Sequence, residues 1–153
     1  MRPIPRADRV ATSAFDLEGP HNHGDNLMDM ALWIVAGLLA VGSLAGGALK
    51  LILPVDRLAA SGWRWVEDFS AGTVRTIGTL EILAAMGLIL PAVLDIAPEL
   101  VPVAAVGLAL LLIGATVTHL RRHEAKVIVV PLALLVLSVF VAVGRFGPQP
   151  FTV

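Results

Sequence analysis

The chain has 153 residues, which suits one compact unit and leaves no room for a second domain. Hydrophobic residues make up 57% of it and charged residues 15%, against roughly 45–50% and about 25% in soluble domains, so a water-soluble globule is disfavoured. A net charge of −1 gives no reason to expect nucleic acid as a partner, and the absence of cysteine excludes disulfides, CxxC redox chemistry, thiolate metal sites and a cysteine nucleophile.

Residues 1–29 read as a disordered tail, with Pro3, Pro5, Gly19, Pro20 and Gly24 among scattered charges and no apolar core of a cleavable signal peptide. His21 and His23 lack further ligands there, and a solvated tail is the better reading than a metal site. Met28 and Met30 stand directly before the first apolar run and are alternative start residues, a question that intact-mass measurement of the native protein decides.

The apolar residues are clustered. Residues 30–49 carry no charge, 100–120 carry only His119, and 127–144 again carry none. Helices need roughly 17–25 such residues to cross about 30 Å of hydrocarbon. A soluble bundle would show a polar face at the helical period, and these runs have none. Four crossings are predicted, at about 30–53, 73–94, 99–120 and 127–144, giving an all-α integral membrane four-helix bundle.

Pro54 ends the first helix. Gly42 and Gly46 form a GxxxG step within it, read as a packing face, with Ser43 and Gly47 offset by one. The connection at 55–72 carries Trp63, Trp65 and Phe69 and reads as an interfacial segment lying on the membrane, with Ser70 or Thr73 capping the next helix. Pro91 falls in the last turn of the second helix and Pro102 in the first turn of the third, where a missing N–H costs nothing. From Arg145 onward the chain, with Pro148 and Pro150, is expected to be unordered; the helical domain spans 30–146 and the C-terminal tail 147–153.

Lys50, Arg57, Arg64, Arg75, Arg121, Arg122 and Lys126 flank the first and third loops, and only Arg145 lies close to the membrane on the opposite side. The positive-inside rule therefore predicts cytoplasmic first and third loops, with both termini outside.

Glu81 is the most informative position. Counted from Thr73 at about 1.5 Å per residue, it lies roughly 12 Å inside the second helix. A charge at that depth costs about 2.5–3.5 kcal/mol on insertion scales, so it should face the bundle interior and find a partner. Lys50, about one turn before the end of the first helix, and His119, closing the third, open towards the same face, with Thr116 one turn deeper. Arg75 is near the mouth but about 120° away around the helix from Glu81 and is expected at the interface. The candidate pocket is thus Lys50, Arg75, Glu81, Thr116 and His119. The alternative is an ion pair that holds the bundle together, with Lys50 snorkelling. His119 and His123 have the spacing of a metal pair but lack a third ligand other than Glu124, so no metal site is assigned. A haem would need histidines on facing helices. No phosphate loop, HExxH or serine elbow is present.

The stretches ALWIVAGLLAVGSLAGGALKLILPVDRLAA, VEDFSAGTVRTIGTLEILAAMGLILP, AAVGLALLLIGATVTHLRRHEAK and VAVGRF resemble the DoxX-like family of bacterial membrane proteins over about 31–146. The ordered signals are Lys50 ending the first helix, the R-x-x-G-x-x-E stretch of Arg75, Gly78 and Glu81, and His119 ending the third helix. The resemblance implies a four-helix protein of the bacterial inner membrane. Some members of that family are linked to a thiosulfate:quinone oxidoreductase and others to oxidative-stress complexes; the long N-terminal tail here departs from the family's usual early start.

Three functional readings follow. One is a membrane subunit of a redox system, with a redox-enzyme partner, whose pocket holds a quinone headgroup or relays a proton. Another is a non-catalytic scaffold or assembly partner in the lipid bilayer, its charges fixing helix register. A small-solute carrier is the third, for which four short helices leave little room.

Overall fold

The computed structural model describes residues 22–151. Its elements are α1 (Asn22–Ile52), α2 (Val55–Ala60), a short 3₁₀ helix (Arg64–Asp68), α3 (Ala71–Val93), α4 (Leu100–Arg121) and α5 (Val129–Phe146). Four of these helices are long and apolar enough to cross a membrane, with mean hydropathy from 1.8 to 2.5 over their best windows. Only 22–33% of each window is buried within the protein. Leu38, Val41, Leu110, Val136 and Val143 all point outward, as spans do when acyl chains, not other helices, cover most of their surface.

The spans form a ring in which α1 packs on α3, α3 on α4, α4 on α5, and α5 back on α1. The core is built largely of small and branched residues: Ala36, Leu39 and Ala40 of α1, Ala84, Ala85 and Leu88 of α3, Val101, Ala105 and Leu108 of α4, and Val141 and Ala142 of α5. Small side chains let helix backbones approach, and close packing replaces the hydrophobic effect as the driving force in lipid.

The closest approach is between α1 and α3. A Cβ placed on Gly47 would lie 2.6 Å from the Gly78 carbonyl oxygen, and one placed on Gly78 would lie 2.8 Å from that of Gly47. The GxxxG step expected to pack is not the one used, because Gly42 has nothing within 4 Å of its Cβ position. Rotation about α1 turns the row containing Gly47 towards α3 and leaves Gly42 at the surface.

Both ends of the described chain are more ordered than hydropathy indicates, and they meet at one end of the bundle. α1 begins at Asn22, eight residues before the predicted start. Its 31 residues span about 46 Å, so its polar first turns rise beyond the hydrocarbon. The N-terminal tail expected over 1–29 is therefore helical from Asn22, and His21 with the residues before it lies outside the described residues.

Towards the C-terminus of the chain, Arg145 is 5% exposed, contrary to the expectation that the chain is unordered from this residue on. Its Nη1 donates to Asp29 Oδ1 at 2.6 Å and to the Gln149 carbonyl at 3.3 Å. Its guanidinium lies 4.1 Å from the Phe151 ring centroid and 5.6 Å from that of Trp33. Gln149 Nε2 donates to Asp25 at 3.3 Å. The aqueous-facing turns of α1 thus supply carboxylates that hold the last helix, and Leu32 packs against Gly144 just inside them.

Ser70 caps α3, its Oγ accepting the Thr73 N–H at 3.1 Å. α3 continues through Pro91 to Val93. The turn into α4 places Asp95 and Ala97 at φ of 53° and 52°.

Candidate functional site

The Gly47–Gly78 contact sets the geometry of the site. Lys50 lies three residues beyond Gly47 and Glu81 three beyond Gly78, so both side chains issue from the edge of the closest helix approach. Lys50 Nζ donates to Glu81 Oε1 at 2.9 Å and Oε2 at 2.6 Å, and lies 3.5 Å from the Gly46 carbonyl oxygen. Lys50 is 6% exposed. An ammonium so buried in the last turn of a span is sustained by such a two-oxygen partner and by aromatic faces. Trp63 and Trp65 supply the faces, with centroids 4.7 and 5.8 Å from Nζ.

The tryptophans are held over the pair by the connection between α1 and α3. Leu58, Val66 and Val74 form a small second core, with Leu53, Val55, Ala59, Trp63, Trp65 and Phe69 packed against it. The segment is therefore folded back onto the bundle, and its indoles serve a buried cation as well as the interface.

His119 ends α4 and is 7% exposed. Its Nδ1 is 2.6 Å from Glu124 Oε2. Glu124 Oε1 accepts Arg122 Nε–H at 2.8 Å, and Arg122 Nη1 donates to Asp68 at 2.6 Å. This chain ties the third loop to the first. Hydrogen bonds from Arg122 and then His119 hold the Glu124 carboxyl below its ordinary value of 4.5, while bonds to Asp68 and Glu124 raise Arg122 further above the usual guanidinium value.

Lys50, Glu81 and His119 line one cavity of about 810 Å³, together with Trp63, Trp65, Phe69, Thr118 and apolar residues of α1, α4 and α5. The named contacts between α1 and α5, Leu32 on Gly144 and Asp29 with Arg145, are at the opposite end of the bundle. Several lining residues, among them Gly42, Leu49, Leu110 and Val130, are also exposed, so the chamber opens sideways, where acyl chains lie. A second cavity, about 550 Å³, is a groove of apolar residues between α4 and α5 with no charged side chain to do chemistry.

Residues 34–141 match the sequence model of the DoxX-like family. The chain belongs to the DoxX-like family. Neither comparison with curated proteins nor comparison with solved structures gives a match. The matched segment contains every charged residue of the cavity and its roof, and it excludes Asp29, Arg145 and Phe151, which close the opposite end.

Of the five residues singled out from the sequence of this DoxX-like protein, three meet at the cavity. Arg75 is exposed and is not among the lining residues. Thr116 gives its hydroxyl to the Leu112 carbonyl at 2.7 Å, within its own helix, and Thr118 lines the cavity instead. The partner of His119 is Glu124 and not His123, which has left the helix at φ 58° and is exposed. Among the described residues no three His, Cys, Asp or Glu side chains are grouped to hold a metal ion. Trp63, Trp65, Asp68 and Arg122 were not recognised as site residues; the W-R-W run in a polar connection was the available signal for the tryptophans.

Proposed function

We propose that the cavity of this DoxX-like protein binds the ring of a lipid-soluble quinone and that the chain serves as the membrane subunit of a redox system. The observation that carries this reading is a largely apolar, side-opening chamber with a Lys50–Glu81 pair and the His119 imidazole at its charged end. An apolar slot with a few convergent polar groups is what a ring with oxygen substituents requires, and an imidazole at the wall is suited to exchange its proton. Electrons pass between the bound ring and a partner protein, since the chain has no cysteine to carry them. The basic first and third loops support a bacterial inner-membrane orientation in which the charged end of the cavity faces the cytoplasm and both termini face outward.

A second reading is a scaffold in which the ion pair only fixes helix register. It is favoured by the position of Lys50 and Glu81 beside the closest backbone approach. The two readings separate with the full chain in lipid nanodiscs, titrated with a decyl-tailed benzoquinone while quenching of tryptophan fluorescence is followed. On the ring-binding reading, His119→Ala and Glu81→Gln purify as folded protein and lose the saturable quench. On the scaffold reading, wild type shows no saturable quench and Glu81→Gln loses yield.

A further inference from the structure

Glu124 divides its two carboxylate oxygens between two partners of different kind. Oε1 accepts from Arg122 Nε at 2.8 Å and Oε2 stands 2.6 Å from His119 Nδ1. A guanidinium only donates, and an ionised carboxylate only accepts. The short contact at Oε2 is therefore a hydrogen bond only if Nδ1 carries a proton. A neutral imidazole protonated on Nδ1 has an unprotonated Nε2 with its lone pair free. Among the described residues Nε2 has no hydrogen-bond partner, and His119 lines the cavity.

We infer that the cavity selects ligands bringing a hydroxyl hydrogen to His119 Nε2: phenols, and so the reduced quinol form of a quinone couple in preference to the oxidised form. This rests on the ring-binding reading above and adds to it the form of the ligand that the site prefers. A quinone carbonyl is an acceptor, and set against the lone pair of Nε2 it leaves two acceptors unpaired in an apolar chamber, which is how a polar site rejects a near-isostere. Glu124 is a positioning residue, acting on the ligand only through the tautomer of His119. Arg122 is what makes the arrangement directional, because it claims one oxygen as an acceptor and leaves the other for the ring. No bond to carbon is made or broken, and no electron moves in this selection.

The test uses a redox-inert pair, para-decylphenol and its methyl ether, bound to the full chain in nanodiscs at about pH 8. In the wild type the phenol binds about fivefold more tightly than the ether, the yield of one net hydrogen bond. Equal affinities overturn the inference while leaving ring binding intact; no saturable binding of either compound overturns ring binding itself. The decisive variant is Glu124→Gln. An amide has one acceptor oxygen, which Arg122 takes, so the amide NH₂ faces Nδ1 and drives the proton to Nε2. The preference is then lost, with the ether and the phenol binding about equally, because the oxygen of either accepts from Nε2–H. The imidazole nitrogen NMR spectrum of His119, assigned against His119→Gln, moves from the Nδ1–H to the Nε2–H pattern in the same variant. An unchanged tautomer with an unchanged preference overturns the inference, as does a doubly protonated ring in the wild type. Glu124→Ala is the second variant; it removes the constraint on the ring, and the phenol preference falls towards unity.

Discussion

Gly47 of α1 and Gly78 of α3 meet backbone to backbone, each occupying the space in which the other's carbonyl oxygen would meet a side chain. Gly78→Ala places a methyl 2.8 Å from that oxygen and 2.9 Å from Lys50 Cβ, and neither can retreat without separating the helices. The expected loss is about 1–3 kcal/mol, measured by denaturant unfolding in mixed micelles. Gly42→Ala, with nothing within 4 Å, is the control and gains up to about 1 kcal/mol through helix propensity.

Removing one member of the buried ion pair costs more than removing both. Glu81→Leu leaves the Lys50 ammonium without its carboxylate and destabilises the fold by roughly 3–5 kcal/mol. Lys50→Met combined with Glu81→Leu recovers most of that loss. A double-mutant cycle on unfolding free energy checks this; additive losses would mean the pair does not interact as its 2.6 Å contact indicates.

The link between the loops is pH-dependent with a defined sign. Glu124 is held below its ordinary value of 4.5, chiefly by Arg122. A carboxyl depressed in the folded state contributes stability that is present above its unfolded value and disappears as pH falls through its folded value. Protection of the first and third loops from proteolysis should therefore decline on acidification below about pH 4.5, and Glu124→Gln should flatten that decline.

Ala97 occupies the left-handed region at φ 52°, a conformation costing a side-chain-bearing residue about 1–2 kcal/mol. Ala97→Gly should raise the thermal midpoint in detergent by a few degrees, corresponding to about 1 kcal/mol. An unchanged or lowered midpoint would place the turn elsewhere in backbone space.

Asp29→Asn and Arg145→Ala act at the end of the bundle far from the cavity. Arg145 is buried between Trp33, Phe151 and Asp29, so its truncation costs about 3 kcal/mol, in both packing and hydrogen bonding. Benzoquinone affinity per folded molecule should stay within about twofold of wild type, as titration of the nanodisc-embedded variant would report.

What could be read from the residues alone followed the solvent. Four long, largely apolar runs require lipid, and Glu81 inside the second of them requires a cation, which makes Lys50 a natural partner. Hydropathy is blind to long-range pairing, however. Asp25 and Asp29 look like tail residues until Gln149 and Arg145 are brought beside them. Likewise, a glycine-rich helix offers several small-residue rows, and only its rotation against α3 selects Gly47 over Gly42. His119 was legible as a cavity residue, whereas its partner depended on the backbone reversal at His123 that returns Glu124 to the Nδ1 edge of the ring.

The Asp29–Arg145 clasp joins the first span to the last across nearly the whole chain. During synthesis α1 enters the bilayer long before its partner exists, leaving a carboxylate waiting at the surface and one flank of the ring open. The ring of helices cannot close at its α1–α5 seam until Arg145 has been synthesised, so that seam is the last the chain can complete.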